Sequence, residues 1–160
     1  MPLYGKFYMD KWDGRYLRLA KEVASWSKDP STKVGAVAVL NGMVLAQGYN
    51  GFPRGIKDSE EKYLDRETKY QYVVHAEMNC IFNAAMNGVS LYGSTLYIYP
   101  LPACHECAKG IIQCGVERVV SPVFENEFTQ RRWEKSCSTT FNMFEEAGIE
   151  YDLIKGFTNV

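Results

Sequence analysis

His75-Ala76-Glu77, followed by Cys104-His105-Glu106-Cys107 behind a proline at 102, is the part of this chain whose residue types and spacing can do chemistry. Two thiolates three residues apart at a helix start can turn their sulfurs toward one ion. An imidazole from a second helix completes a three-ligand set. Zinc held by three protein ligands keeps its fourth tetrahedral position for water, and makes that water a nucleophile near neutral pH. Glu77, two residues past the histidine, falls beside such a metal rather than on it, where a carboxylate can move protons. The chemistry this set implies is hydrolytic.

A C-x-x-C pair by itself also serves redox couples and structural zinc knuckles. A closed structural site takes four protein ligands, and the chain holds 2 histidines and 5 cysteines. The spare candidates are His105, Cys80, Cys114 and Cys137. His105 lies between the two cysteines and is expected to point away from their shared metal. Cys80 and Cys114 fall at apolar helix positions and Cys137 in a late helix, where a free cysteine behaves as a small hydrophobe. Ligand count favours the open, catalytic form of the site.

The composition sets bounds on what surrounds this set. With 160 residues, 46% hydrophobic and 14% aromatic, one domain (1–160) can bury on the order of 70% of its unfolded surface. A net charge of -1 argues against a polynucleotide partner, because phosphate-backbone binding needs a basic excess. Two of five cysteines are assigned to metal, so no disulfide framework is implied. Met1 to Asp10 lacks the apolar core of a signal peptide, and no apolar run approaches a membrane span. A cytoplasmic setting with no membrane partner is the expectation.

The elements that must position these residues follow from periodicity. Trp12, Tyr16, Leu19, Ala20, Val23 and Ala24 recur at helical spacing between Asp10 and Trp26, and Lys28-Asp29-Pro30 ends the run. Val34–Leu40 and Met43–Gly48 read as strands joined by the Asn41-Gly42 hairpin turn. Tyr49 to Tyr72 is mostly polar and reads as a long functional loop. Val74, Met78, Ile81, Phe82 and Ala85 mark the helix carrying His75 and Glu77. Thr95–Tyr99, Glu117–Val120 and Ile149–Ile154 read as strands, alternating with helices at Cys104–Gln113 and Gln130–Ala147. The last helix is expected to turn Trp133, Cys137, Phe141 and Phe144 inward. Together these predict a three-layer α/β/α domain with a mixed five-stranded sheet. Both metal segments then lie at helix N-termini, whose positive ends favour thiolates.

H-x-E followed by P-C-x-x-C is the known signature of zinc-dependent nucleobase deaminases. Beyond it, the chain resembles the deoxycytidylate (dCMP) deaminases of the cytidine deaminase fold from about Trp12 to Gly148. The matching stretches are residues 26–36 (WSKDPSTKVGA), 48–55 (GYNGFPRG), 75–79 (HAEMN) and 104–109 (CHECAK), continuing through Ile112-Gln113 to Gly115. The zinc motifs alone would also admit cytosine, guanine, adenosine and riboflavin-precursor deaminases. The two longer stretches narrow the likeness to the nucleotide enzymes. One departure shows: Ala103 separates Pro102 from Cys104, where the family usually places proline directly before the cysteine.

The resemblance implies hydrolysis of dCMP to dUMP, with zinc on His75, Cys104 and Cys107 and with Glu77 as proton shuttle. It also implies that the Ala76 N–H holds the 2-oxo group of the base and that Asn50 bonds the deoxyribose 3′-hydroxyl. Lys28, Ser31 and Lys33 are candidates for the 5′-phosphate, with Arg131 and Arg132 further along the chain. Many members are hexamers activated by dCTP and inhibited by dTTP, with Mg2+, at an interface site beside the GYNG loop. Gly51, Arg54 and the Asp58–Lys69 segment are the candidates for such a site here. Against this stand a polynucleotide-editing deaminase, which the charge balance disfavours, and a silent zinc-binding module, which an intact Glu77 disfavours.

Overall fold

Alternating small and β-branched residues build the centre of the fold. Gly35–Leu40 (β2) pairs antiparallel with Met43–Tyr49 (β3) on one side and with Thr95–Tyr99 (β4) on the other. Arg118–Pro122 (β5) and Glu150–Ile154 (β6) follow in parallel, with Leu96 opposite Val119 and Val119 opposite Tyr151. The five expected strands are all present. A two-residue strand, Gly5–Lys6 (β1), adds to β6 at the far edge, giving the order β1-β6-β5-β4-β2-β3. This computed structural model describes residues 5–6, 9–124 and 126–157. Among them no helix is long and apolar enough to cross a membrane.

The period-2 alternation of the strands sorts their side chains onto two faces. Val37, Val39, Tyr97, Val120 and Ile154 pack against Leu17, Ala20 and Val23 of Lys11–Ser25 (α1). Ala36, Ala38, Leu96, Ile98 and Val119 face the other way, against the remaining long helices. Those supply Cys80 and Ala84 from Ala76–Met86, Ala108 and Ile111 from His105–Gln113, and Phe144 from Glu127–Ala147. Three layers result, as the alternation of elements implied. The small residues on β2 and β3 let helices come unusually near. A Cβ on Gly35 would lie 2.1 Å from the Ala20 carbonyl oxygen, and one on Gly48 would lie 2.2 Å from the Cys80 nitrogen.

The expected loop from Tyr49 to Tyr72 is only partly a loop. It contains two short helices, Glu60–Leu64 (α2) and Arg66–Tyr72 (α3). Ser59 caps α2 by accepting the Lys62 N–H at 3.3 Å. Tyr63 is buried and stacks on Phe52 with ring centres 4.2 Å apart. Runs of five and seven residues are too short to display a 3.6-residue period, which is why the polar composition dominated the reading. The helices after it, in chain order, are α4 (Ala76–Met86), α5 (His105–Gln113) and α6 (Glu127–Ala147).

Candidate active site

Both metal-bearing motifs sit where helices begin. His75 is the N-cap of α4 and Cys104 the N-cap of α5, each in extended backbone, with Cys107 one turn into α5. His75 Nδ1 lies 3.4 Å from Cys104 Sγ and 3.3 Å from Cys107 Sγ. All three ligand atoms lie within 4.8 Å of one another. Zn–N near 2.0–2.1 Å and Zn–S near 2.3 Å in a tetrahedron separate nitrogen from sulfur by about 3.5 Å. The donor set therefore fits zinc in both spacing and type. No fourth protein ligand joins it among the described residues.

The electrostatics agree with a metal-ready set. A hydrogen bond from the Cys107 thiol, with help from His75, holds Cys104 far below the usual thiol range. Cys107 is driven up by the same hydrogen bond and by its burial. The hydrogen bond to Cys104 raises His75, against the opposing pull of burial. The pair thus gives up one proton readily, and a divalent cation displaces the other.

Glu77 is buried at 5% exposure, with Oε2 3.8 Å from Cys107 Sγ. It stands beside the ligand set without belonging to it. Burial pushes its carboxyl up to about 7, the nearby His75 pulling the other way. A carboxyl tuned to that value can both take and give a proton near neutrality.

Residues distant in sequence hold these groups in place. Thr140 of α6, fully buried, donates its hydroxyl to the Ala103 carbonyl at 3.0 Å. Ser136 Oγ accepts the His105 N–H at 3.0 Å and lies 2.8 Å from His105 Nδ1. His105 is turned to α6 and to Glu106, away from the metal ligands. The turn in which Ala103 replaces the usual proline is thus pinned from α6. Neither serine nor threonine carries any sequence signal for this task, being 31 and 37 residues from its partner.

The GYNG loop reaches the site through its backbone. Gly51 and Val74 exchange hydrogen bonds of 3.1 and 2.8 Å, one residue before His75. Asn79 and Asn83 of α4 donate to the Tyr49 and Gln47 carbonyls of β3, both at 2.7 Å. Asn50, 6% exposed, sits between this stitch and the loop after α1. Its Oδ1 accepts the Val34 N–H at 2.8 Å and its Nδ2 donates to the Thr32 carbonyl at 2.9 Å. Arg54 is hydrogen-bonded to Asn83. Of the phosphate candidates, Lys28 is exposed and pairs with Asp58 at 3.0 Å, while Ser31 is exposed and gives its N–H to Asp29. Arg131 lies 3.8 Å from Glu127, and Arg132 meets the Tyr70 hydroxyl.

Residues 10–122 match the family described as the cytidine and deoxycytidylate deaminase zinc-binding region. The chain belongs to this family. It is therefore a zinc-dependent deaminase, and the match takes in the HAE and C-x-x-C motifs whose side chains converge here. A protein named as an uncharacterized deaminase in Aliivibrio fischeri is 38% identical, covering 89% of this chain and 92% of that protein. A deoxycytidylate deaminase of Mus musculus is 36% identical, covering 88% of this chain and 78% of its own length. Among solved structures, the dCMP deaminase of cyanophage S-TIM5 in complex with dCMP and dUMP superposes with a TM-score of 0.69 at 28% identity. That match covers 92% of this chain and 99% of the phage chain.

Proposed function

We propose that this deaminase, working as one domain, hydrolyses dCMP to dUMP and ammonia and so supplies dUMP for thymidylate synthesis. The observation that carries the reading is the placement of Glu77, a buried carboxylate beside the three ligating atoms and outside their set. The substrate comes from the relatives: the mouse protein is named a deoxycytidylate deaminase, and the phage enzyme was solved with dCMP and dUMP.

His75, Cys104 and Cys107 hold zinc, which when bound supplies the Lewis acidity that lets water attack at neutral pH. Glu77 takes a proton from the attacking water and delivers it to ring nitrogen 3, so that ring carbon 4 can accept the hydroxyl. It then carries the second proton to the exocyclic amine, the C–N bond breaks, and ammonia leaves. Ala76 is the first residue of α4, where an N–H has no partner within the helix and can hold the 2-oxo group. Asn50 receives the 3′-hydroxyl. Lys28 and Ser31, on the loop after α1, take the 5′-phosphate, Lys28 exchanging Asp58 for it.

Control belongs to the same proposal. dCTP with Mg2+ as activator and dTTP as inhibitor would bind by Gly51 and Arg54 in a homohexamer. The Arg54–Asn83 contact gives that loop a hold on α4, which carries Glu77. The test is ammonia release from dCMP, deoxycytidine, CMP, cytosine and guanine at equal zinc content, with light scattering for assembly. dCMP should be turned over best, and equal efficiency on deoxycytidine would exclude a phosphate-reading site. Saturation curves with dCMP alone, with dCTP and with dTTP, all with magnesium, should differ; identical curves would remove the regulatory part.

A further inference from the structure

Asp29 is a carboxylate only 1% exposed. Its Oδ1 accepts the Ser31 and Thr32 N–H groups at 2.8 and 3.4 Å, and its Oδ2 accepts from Asn50 Nδ2 at 3.3 Å. The neutralising charge arrives from α3. Lys69 Nζ lies 2.8 Å from Oδ2 and 3.1 Å from Oδ1, in a pair whose side chains are 13% and 2% exposed. A carboxylate buried this deeply is sustained only when paired and hydrogen-bonded. The segment between the GYNG loop and His75 thus reaches back across 40 residues to charge-balance the loop after α1.

The pair backs the two backbone groups that turn the Asn50 amide. Nδ2 spends both hydrogens, on the Thr32 carbonyl and on Asp29, while Oδ1 takes the Val34 N–H. A flipped amide would set NH2 against a backbone N–H and oxygen against a carboxylate, so one orientation is enforced. An amide oxygen has two lone pairs. One is used among the described residues, and the other is open to a hydroxyl donor. Asn50 is one residue from Gly51, whose backbone is bonded to Val74 beside the ligand His75.

We infer that Lys69 is a positioning residue for sugar recognition. Acting through Asp29, it fixes Asn50 with its amide oxygen toward the substrate, so that the 3′-hydroxyl donates and Asn50 accepts. The inference rests on the dCMP reading above and assigns α3 a task within it. Without the ammonium, Asp29 and the Ser31–Thr32 backbone it holds are no longer tied to α3. The loop that carries the Thr32 carbonyl is then less firmly held, and the Asn50 amide loses its fixed seat.

The experiment compares kcat/KM on dCMP and on its 2′,3′-dideoxy analogue, at matched zinc content, for the parent, Lys69→Met and Lys69→Arg. The parent should prefer dCMP by on the order of tenfold, the value of one well-placed hydrogen bond. Lys69→Met should erase most of that preference through a higher KM for dCMP, with kcat little changed, and Lys69→Arg should restore it. Equal losses on both substrates would make Lys69 merely structural and overturn the inference, as would an undiminished preference. If Lys69→Met does not fold, Asp29→Asn/Lys69→Met removes both charges and carries the same comparison; a retained preference there also overturns it. A parent active on both substrates alike would sink the inference and leave the dCMP reading standing. A parent inert on dCMP would sink both.

Discussion

Replacing Glu77 by glutamine keeps the side chain's length and its place beside Cys107 while removing its ability to accept a proton. Turnover should fall by at least ~10²-fold with zinc content unchanged, as read by ammonia release and metal analysis on the same sample. The same variant reports on burial. The Glu77 carboxyl is raised from 4.5 to about 7, chiefly by burial, so its stabilising neutral form is fully present below 4.5 and lost as pH rises through 7. In chelator-treated protein at pH 8, Glu77→Gln should therefore be the more stable by on the order of 3 kcal/mol. The gap should close toward pH 4.5, which urea denaturation at the two pH values would measure. The identity of this group was legible in the sequence, because HAE and C-x-x-C are local patterns whose spacing fixes which atoms can meet. The partners that hold them were not. Thr140, Ser136 and Lys69 reach their targets across 37, 31 and 40 residues, and no local pattern marks them.

Helices and strands set the distance between the two halves of the ligand set. α4 lies so close on β3 that a side chain at Gly48 would meet the Cys80 nitrogen at 2.2 Å and the Ala76 carbonyl oxygen at 2.7 Å. Gly48→Ala must push the helix outward, and His75 and Glu77 ride on its first turn. We expect a loss of about 1–3 kcal/mol in urea denaturation, the usual scale for overpacking, together with weaker zinc retention in chelator competition. Unchanged zinc affinity would mean that α5 and α6 alone set the site. Strands, hairpin and long helices were readable because each shows its own hydrophobic period over enough residues. α2 and α3 were not, because short turns rich in charge carry no such period. Within the GYNG stretch the sequence named Gly48 as part of a motif, but only the packing tells why a glycine is there.

Across the whole molecule, the α1 face of the sheet carries a buried ion cluster on the side opposite α4, α5 and α6. Arg118 bonds Asp13 of α1 through Nη1 and Nη2, both at 2.9 Å, and Asp152 of β6 through Nε and Nη2 at 2.9 and 2.6 Å. The Tyr97 hydroxyl donates to Asp13 at 2.9 Å from β4. One guanidinium therefore ties helix and strands together. Arg118→Met would take the guanidinium away from two buried carboxylates and should cost about 3–5 kcal/mol in equilibrium unfolding. A loss under 1 kcal/mol would mean that the carboxylates find other partners.

The hydrogen-bonded pair Gly51–Val74 makes the chain between them a closed excursion, leaving and returning at one point. Its length is therefore decoupled from the spacing of Asn50 and His75, and closure entropy changes only slowly with the number of residues enclosed. Replacing residues 54–71 by a short Gly-Ser connector should leave zinc content near one per chain, because no ligand lies inside the excursion. The shortened protein should nonetheless stop distinguishing dCMP from its dideoxy analogue, since Lys69 departs with the excised residues. Metal holding and sugar reading would then be separable inheritances of the fold: one held by the frame, the other by an insert free to change in length.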